Sequence, residues 1–263
     1  MYRRAALLAA GTLFAAAAPG FAQADDPQVN AQYRVFAHGF HVADASASYK
    51  LTPWGYGITT HLVAGGLLSI LISMDVTSHA EGRFENGWVA PMNFGSGGYS
   101  RGKTRHVEVT YQNGAPVVTQ LTPPENDRLP VPDDEKRNAI DTLSAMALLL
   151  NTIEQTGHCD GASRIFDGLR LTSMTVHGPI DAKVPEGSGE VFLGKSLRCD
   201  FVGQQIAGFI KDSSHLAEMK APRKGSAWFQ SMPGLGLVAV RIEFDHPKIG
   251  HMIAVLSRIP QKM

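Results

Sequence analysis

The strongest constraint on this chain is a rhythm of two. In "VADASASYKL", Ala43, Ala45, Ala47 and Tyr49 alternate with Asp44, Ser46, Ser48 and Lys50. "HVEVTYQ" sets Val107, Val109 and Tyr111 against His106, Glu108, Thr110 and Gln112. "LVAVRIEFD" sets Val238, Val240, Ile242 and Phe244 against Ala239, Arg241, Glu243 and Asp245. Neighbouring side chains on a strand point to opposite faces, so the pattern predicts strands with one buried and one wet face, the habit of antiparallel sheet. Turn signals separate them: Pro53, Asn86-Gly87, Gly95 to Gly98, Asn113-Gly114, Asp167-Gly168, Gly187 to Gly189 and Pro233-Gly234. Roughly a dozen short strands result, enough for a barrel, a wrapped half-barrel or a sandwich.

One segment departs from this rhythm. "DDEKRNAIDTLSAMALLLNTIEQTG" carries Ile140, Leu143, Met146, Ala147, Leu150 and Ile153 at helical spacing. Asp133 or Asp141 can cap its start, and Gly157 fits the position after its end. Its apolar stripe suits a helix lying against a sheet or plugging an open barrel. The next segment, "SRIFDGLRLTSMTV", predicts a hairpin with Asp167-Gly168 as a two-residue loop and Phe166 opposite Leu169. No repeat or internal boundary divides residues 25–263, which are expected to form one β-rich domain.

The chain opens "MYRRAALLAAGTLFAAAAPGFAQADD", with Arg3 and Arg4 before an apolar small-residue stretch and Ala22-Gln23-Ala24 as a cleavage site. Residues 1–24 therefore predict a cleaved export signal, and no cysteine near the cleavage point offers a lipid anchor. Without Arg3 and Arg4, 22 basic residues face 24 acidic ones, a formal charge of −2. That balance excludes an electrostatic case for nucleic acid. The apolar run His61 to Val76 is broken by Gly65, Gly66, Ser69 and Ser73, well short of the ~20 residues a membrane span requires. It is expected as two buried strand segments around the glycine pair, not as a membrane-spanning helix.

Candidate sites begin with "GHCDG". His158 beside Cys159 suggests a nucleophile pair, but strand geometry would separate the two side chains. An even pair of cysteines in an exported chain predicts instead a disulfide, Cys159–Cys199, joining the strand that begins near Cys159 to a neighbouring one. His38 and His41 in "HGFH" would face opposite sides of a strand, and no metal or cofactor motif occurs, so neither metal nor cofactor is expected. Ser144 lies in the helix without a nucleophile elbow, and Asp141 fits a cap better than an acid. The run Gly95 to Gly98 leads into a strand and is expected as a flexible loop or bulge. Arg101, Lys103 and Arg105 share one strand face, a solvated face or a patch for an anionic ligand.

The order of short motifs resembles the bacterial exported proteins of domain-of-unknown-function family 3108. The resemblance runs from "YRVFAHGFHVADASASYKL" through "YGITTHLVAGGLLSIL", "GRFENGWVAPMNF", "DTLSAMALLL" and "RIFDGLR" to "CDFVGQQIAGFI", about residues 32 to 258. It implies a mainly antiparallel curled sheet, a half-barrel or β-spiral around one main helix, exported to the periplasm. It implies no reaction and no catalytic residues. The expected role is a non-enzymatic envelope protein that takes a lipid-like or cell-wall ligand, or a partner protein, in the concave face. The competing expectations are an envelope hydrolase assembled from distant strands and a purely structural assembly factor.

Overall fold

A computed structural model describes residues 28–66, 69, 73–100, 102–187, 189, 191–247 and 249–262. The expected leader, Arg101 and most of the second half of the apolar run (67, 68 and 70–72) lie outside these residues. The strands are β1 (Gln28–Ala37), β2 (Phe40–Leu51), β3 (Gly55–Ala64), β4 (Met74–Glu85), β5 (Trp88–Ser100), β6 (Lys103–Gln112) and β7 (Ala115–Thr122). After the helices α1 (Asp133–Lys136) and α2 (Thr142–Thr156) follow β8 (Gly161–Phe166), β9 (Leu171–Val184) and β10 (Gly194–Ala207). A short α3 (Leu216–Lys220) precedes β11 (Arg223–Met232), β12 (Gly236–His246), β13 (Gly250–Leu256) and β14 (Gln261–Lys262).

The strands form a nearly closed antiparallel sheet in the order β7-β6-β5-β4-β3-β2-β1-β13-β12-β11-β10-β9-β8, with β14 beside β1. Two meanders, β1–β7 and β8–β13, are joined where Tyr33 of β1 pairs Leu256 of β13. The edge strands β7 and β8 meet through side chains: Ala139, Phe166, Leu171 and Ala207 form a small core on which Val118 and Val131 pack. Ile140 forms a parallel bridge with Ile165. A Cβ on Gly168 would collide with Val107 of β6, so this glycine lets the β8–β9 turn close onto the far wing.

The alternation holds at the centres of β6 and β12 and at Ala43 and Tyr49 of β2, while Ala45, Ala47, Tyr111, Ile242 and Phe244 are only half-buried. Val107, Val109, Val238, Val240 and Tyr49 are buried, with their sequence neighbours more exposed. Arg241 breaks it: an outer-face side chain, yet only 4 % exposed. Its guanidinium stacks 5.9 Å from the Trp228 ring and donates to Glu243 at 2.6 Å, so a paired and stacked arginine occupies a position read as wet.

Three local expectations change. The β8–β9 hairpin pairs Phe166 with Leu171, not Leu169, and its loop is Asp167–Arg170. The Asp167 carboxylate accepts from the backbone N–H groups of Leu169 and Arg170 (3.0 and 2.7 Å) and from the Arg170 side chain, which holds the longer loop. Gly95 to Gly98 lie inside β5; a Cβ on Gly95 would meet His79 and Glu108, and one on Gly98 the backbone of Asp75. His38 and Gly39, both at positive φ (51° and 80°), form the β1–β2 turn, so His38 and His41 do not share a strand. Of the apolar run, Leu62 and Val63 belong to β3, and β4 resumes at Met74.

Candidate functional site: a cavity between one helix and the concave sheet

Helix α2 is separate from the short α1. The Asp141 carboxylate caps it, accepting from the N–H groups of Leu143 (3.0 Å) and Ser144 (2.8 Å), and Gly157 (φ 73°) ends it. Leu143, Ala147, Leu150 and Ile153 are buried in the main core, against β3, β4 and β5. The helix has a second apolar face, Ala145, Met146, Leu148 and Leu149, which is only half-buried. That face looks into a cavity of about 630 Å³.

Alanines make the space. Ala45 pairs with Tyr33 on one side and Leu62 on the other, and Ala254, Ile242, Ala227 and Cys199 stand in one cross-strand row. Ala45, Ala47, Ala227, Ala239 and Ala254 all line the cavity, alongside larger groups such as Phe229, Phe244 and Met174. Cross-strand neighbours on one face lie ~5 Å apart, so alanines in adjacent strands cannot reach the helix opposite and leave room between.

Two tyrosines complete the wall where the ladder fails. β13 pairs β12 only from Arg241 to His246, leaving Gly236–Val240 without that neighbour. There the Tyr33 hydroxyl donates to the Ala239 carbonyl (3.0 Å) and the Tyr49 hydroxyl to the Leu237 carbonyl (3.4 Å). Burial pushes the Tyr49 hydroxyl up to about 12, and burial with the nearby Tyr49 raises Tyr33 further. Both are therefore neutral donors.

A buried polar chain sits at the start of α2. Tyr56 donates to Ser144 Oγ (2.6 Å), Ser144 donates to Asp141, and Tyr111 donates to the same carboxylate oxygen (3.0 Å). Burial pushes the Asp141 carboxyl up, against hydrogen bonds from Ser144 and Tyr111 that pull it down. Asp141 and Ser144 have no exposed surface, and no histidine joins them among the described residues. The arrangement holds a helix end; a substrate has no path to the Ser144 hydroxyl.

Cys159 and Cys199 form the disulfide, with Cα atoms 6.2 Å apart. The strand neighbours differ from expectation: β9 lies between β8 and β10, and the bridge crosses it at Gly178. A Cβ on Gly178 (φ 121°) would lie 3.2 Å from Cys159 Sγ, so the crossing requires glycine. His158 and Cys159 precede β8 instead of lying within a strand; His158 is exposed while Cys159 is buried and lines the cavity.

The other expected sites disperse. Lys103 is exposed, and Arg105 is ion-paired with Glu125, which also holds Arg128; Arg101 lies outside the described residues. His41 pairs with Asp44, His61 with Asp75, His106 with Glu108 and His251 with Asp245. Among the described residues no group of three or more His, Cys, Asp or Glu is arranged to hold a metal ion. No described helix is long and apolar enough to cross a membrane. A ligand site in the concave face was expected, but the residues that line it were not; their signal was the pairing of inward alanines on β2 with apolar residues off the main stripe of α2.

A nearly closed antiparallel sheet curled around one capped, stapled helix defines a β-barrel-like protein. Its fold is similar to the crystal structure of a beta-barrel-like protein of domain of unknown function DUF1849 from Brucella abortus, with TM-score 0.51 and 12 % identity over 90 % of this chain and 98 % of that one. A putative lipoprotein from Parabacteroides distasonis matches with TM-score 0.36 and 10 % identity, over 90 % of this chain and 96 % of its own. The chain belongs to the family DUF3108, proteins of unknown function, whose model matches residues 32–192. That match bears out the family resemblance, although residues 193–258 fall outside it. No curated protein matches.

Proposed function

We propose that this protein is a non-catalytic carrier of a lipid-like ligand, whose acyl chain lies in the cavity between α2 and the concave sheet. The observation that carries the reading is that cavity, about 630 Å³, walled by alanines and larger apolar groups. The size falls in the range of roughly 300–1,000 Å³ typical of ligand sites. Each methylene moved from water into such a wall gains about 0.8 kcal/mol, so a chain of a dozen gains enough to outweigh the cost of association. The second apolar face of α2 supports the same reading, because it would otherwise border an empty apolar space. The leader over residues 1–24 directs residues 25–263 to the periplasm, where a lipid-like molecule needs shelter from water.

Native mass spectrometry of the mature chain, followed by organic extraction, tests this. The expected result is a bound species of acyl-chain mass, lost in the variant Ala47→Phe. Purified protein that carries no such species and takes up no fluorescent fatty-acid analogue would overturn it.

A further inference from the structure

The chain has three tryptophans, and they are placed in two opposite ways. Trp228 is 4 % exposed, held between Arg198 and Arg241. Trp54 is 72 % exposed and Trp88 is 42 % exposed. Both of these stand at hairpin tips. Trp54 is in the β2–β3 turn, and Trp88 follows the Asn86-Gly87 turn at the start of β5. The tips are adjacent: the Phe84 N–H donates to the Trp54 carbonyl (2.9 Å), and Glu85, next to Phe84, pairs with Trp88. Trp88 also lines the cavity, as does Thr142 at the first turn of α2, so a residue that is both wall and surface marks the rim.

The geometry points to a membrane-docking surface: Trp54 and Trp88 seat the rim of the cavity in the interface of a phospholipid bilayer. This rests on the carrier reading, because it gives the ligand a route between bilayer and cavity. Scattered apolar residues on a surface are ordinary; two indoles on neighbouring tips at a cavity rim are not scattered. Indole has an apolar body and one N–H donor, which suits the headgroup level of a bilayer better than water or hydrocarbon. The Trp54 tip is also held in shape. Thr52 Oγ1 accepts from the N–H groups of Trp54 (3.3 Å) and Gly55 (3.0 Å), so the backbone of the tip has little freedom left to lose on docking. Arg83 and Glu85 are both exposed beside the tips, opposite charges that give no preference for an anionic surface. The occupant is therefore a zwitterionic bilayer, recognised by its interface and not by its charge.

The test uses the full mature chain with phosphatidylcholine vesicles. Trp228 is already buried, so a blue shift of the emission on adding vesicles reports Trp54 and Trp88. The expected results are a blue shift, co-sedimentation, and a fall in partitioning of roughly tenfold for each of Trp54→Ala and Trp88→Ala. Retained Trp228 emission in the variants verifies that they are folded. Unchanged emission with vesicles, or full partitioning of the double variant, would overturn the inference, as would binding only when anionic lipid is added. Uptake of a dissolved fatty-acid analogue separates the two readings. Uptake without vesicle binding sinks the docking surface alone, and vesicle binding without uptake sinks the carrier reading alone.

Discussion

Tyr33 and Ala239 lie 206 positions apart, yet the hydroxyl of one donates to the carbonyl of the other at 3.0 Å. This bond closes the sheet where backbone cannot. β13 pairs β1 from Met252 to Leu256 but leaves β12 after pairing Val255 with Arg241, and beyond it the Ser257 N–H still donates to Gln32 O of β1. An unpaired carbonyl in an apolar wall costs about 1–3 kcal/mol. Tyr33→Phe is therefore expected to destabilise the fold by that amount, read from urea unfolding. Tyr49→Phe, at 3.4 Å from its acceptor, should cost less.

The same hydroxyls set an alkaline limit. Burial raises Tyr49 to about 12, and Tyr33, Tyr56 and Tyr111 also lie above their ordinary value of 10. A group whose folded value is raised holds its proton more tightly when folded, so stability is intact below pH 10 and lost as pH rises past it. Melting temperatures should be level from neutrality to pH 9 and fall steeply between pH 10 and 12. A flat profile to pH 12 would show these hydroxyls to be solvated.

Asp141 joins the helix cap to the sheet. Asp141→Ala removes the acceptor for two backbone N–H groups, costing about 1 kcal/mol as a cap, and strands the buried hydroxyls of Ser144 and Tyr111 at about 1–3 kcal/mol each. The expected loss is several kcal/mol in chemical unfolding. Tyr111→Phe, which strands only part of the network, should lose much less.

The disulfide closes a stretch of 40 positions, for which chain entropy gives roughly 3–4 kcal/mol. The Cys159→Ala/Cys199→Ala chain should unfold at correspondingly lower urea, and Ellman's reagent should find no thiol in the unreduced parent. Gly178→Ala should also destabilise, because its Cβ would press on Cys159 Sγ in a conformation that favours glycine.

Where sequence and structure agree, one interaction dominates each residue. On β6 and the middle of β12 burial decides the face, so alternation could be read directly. The ends of α2 were legible because Asp141 and Gly157 are local devices. The hairpin at Asp167 was misread because its side chain rebuilt the turn, giving a register two residues longer than the Asp-Gly pair implies. The glycines of β5 were misread because their reason lies on other strands, in His79, Glu108 and Asp75. Which residues open the concave face into a cavity was illegible for a related reason. An alanine facing inward looks alike whether a partner fills the space above it or not.

That ambiguity makes Ala47 the decisive position. It pairs with Thr60 on β2 and lines the same cavity as Met146 and Leu149. If a ligand occupies that space, Ala47→Phe replaces ligand with protein. The ring buries apolar surface worth about 1.5–3 kcal/mol without displacing a core side chain. The variant should therefore melt at the same temperature as the parent or higher, while fatty-acid uptake falls at least roughly tenfold. A core that was already filled would respond in the opposite way, losing about 1–3 kcal/mol to overpacking with uptake unchanged. Calorimetry and a binding titration on the same two proteins distinguish these outcomes, since stability and affinity must move in opposite directions only if the space belongs to a ligand.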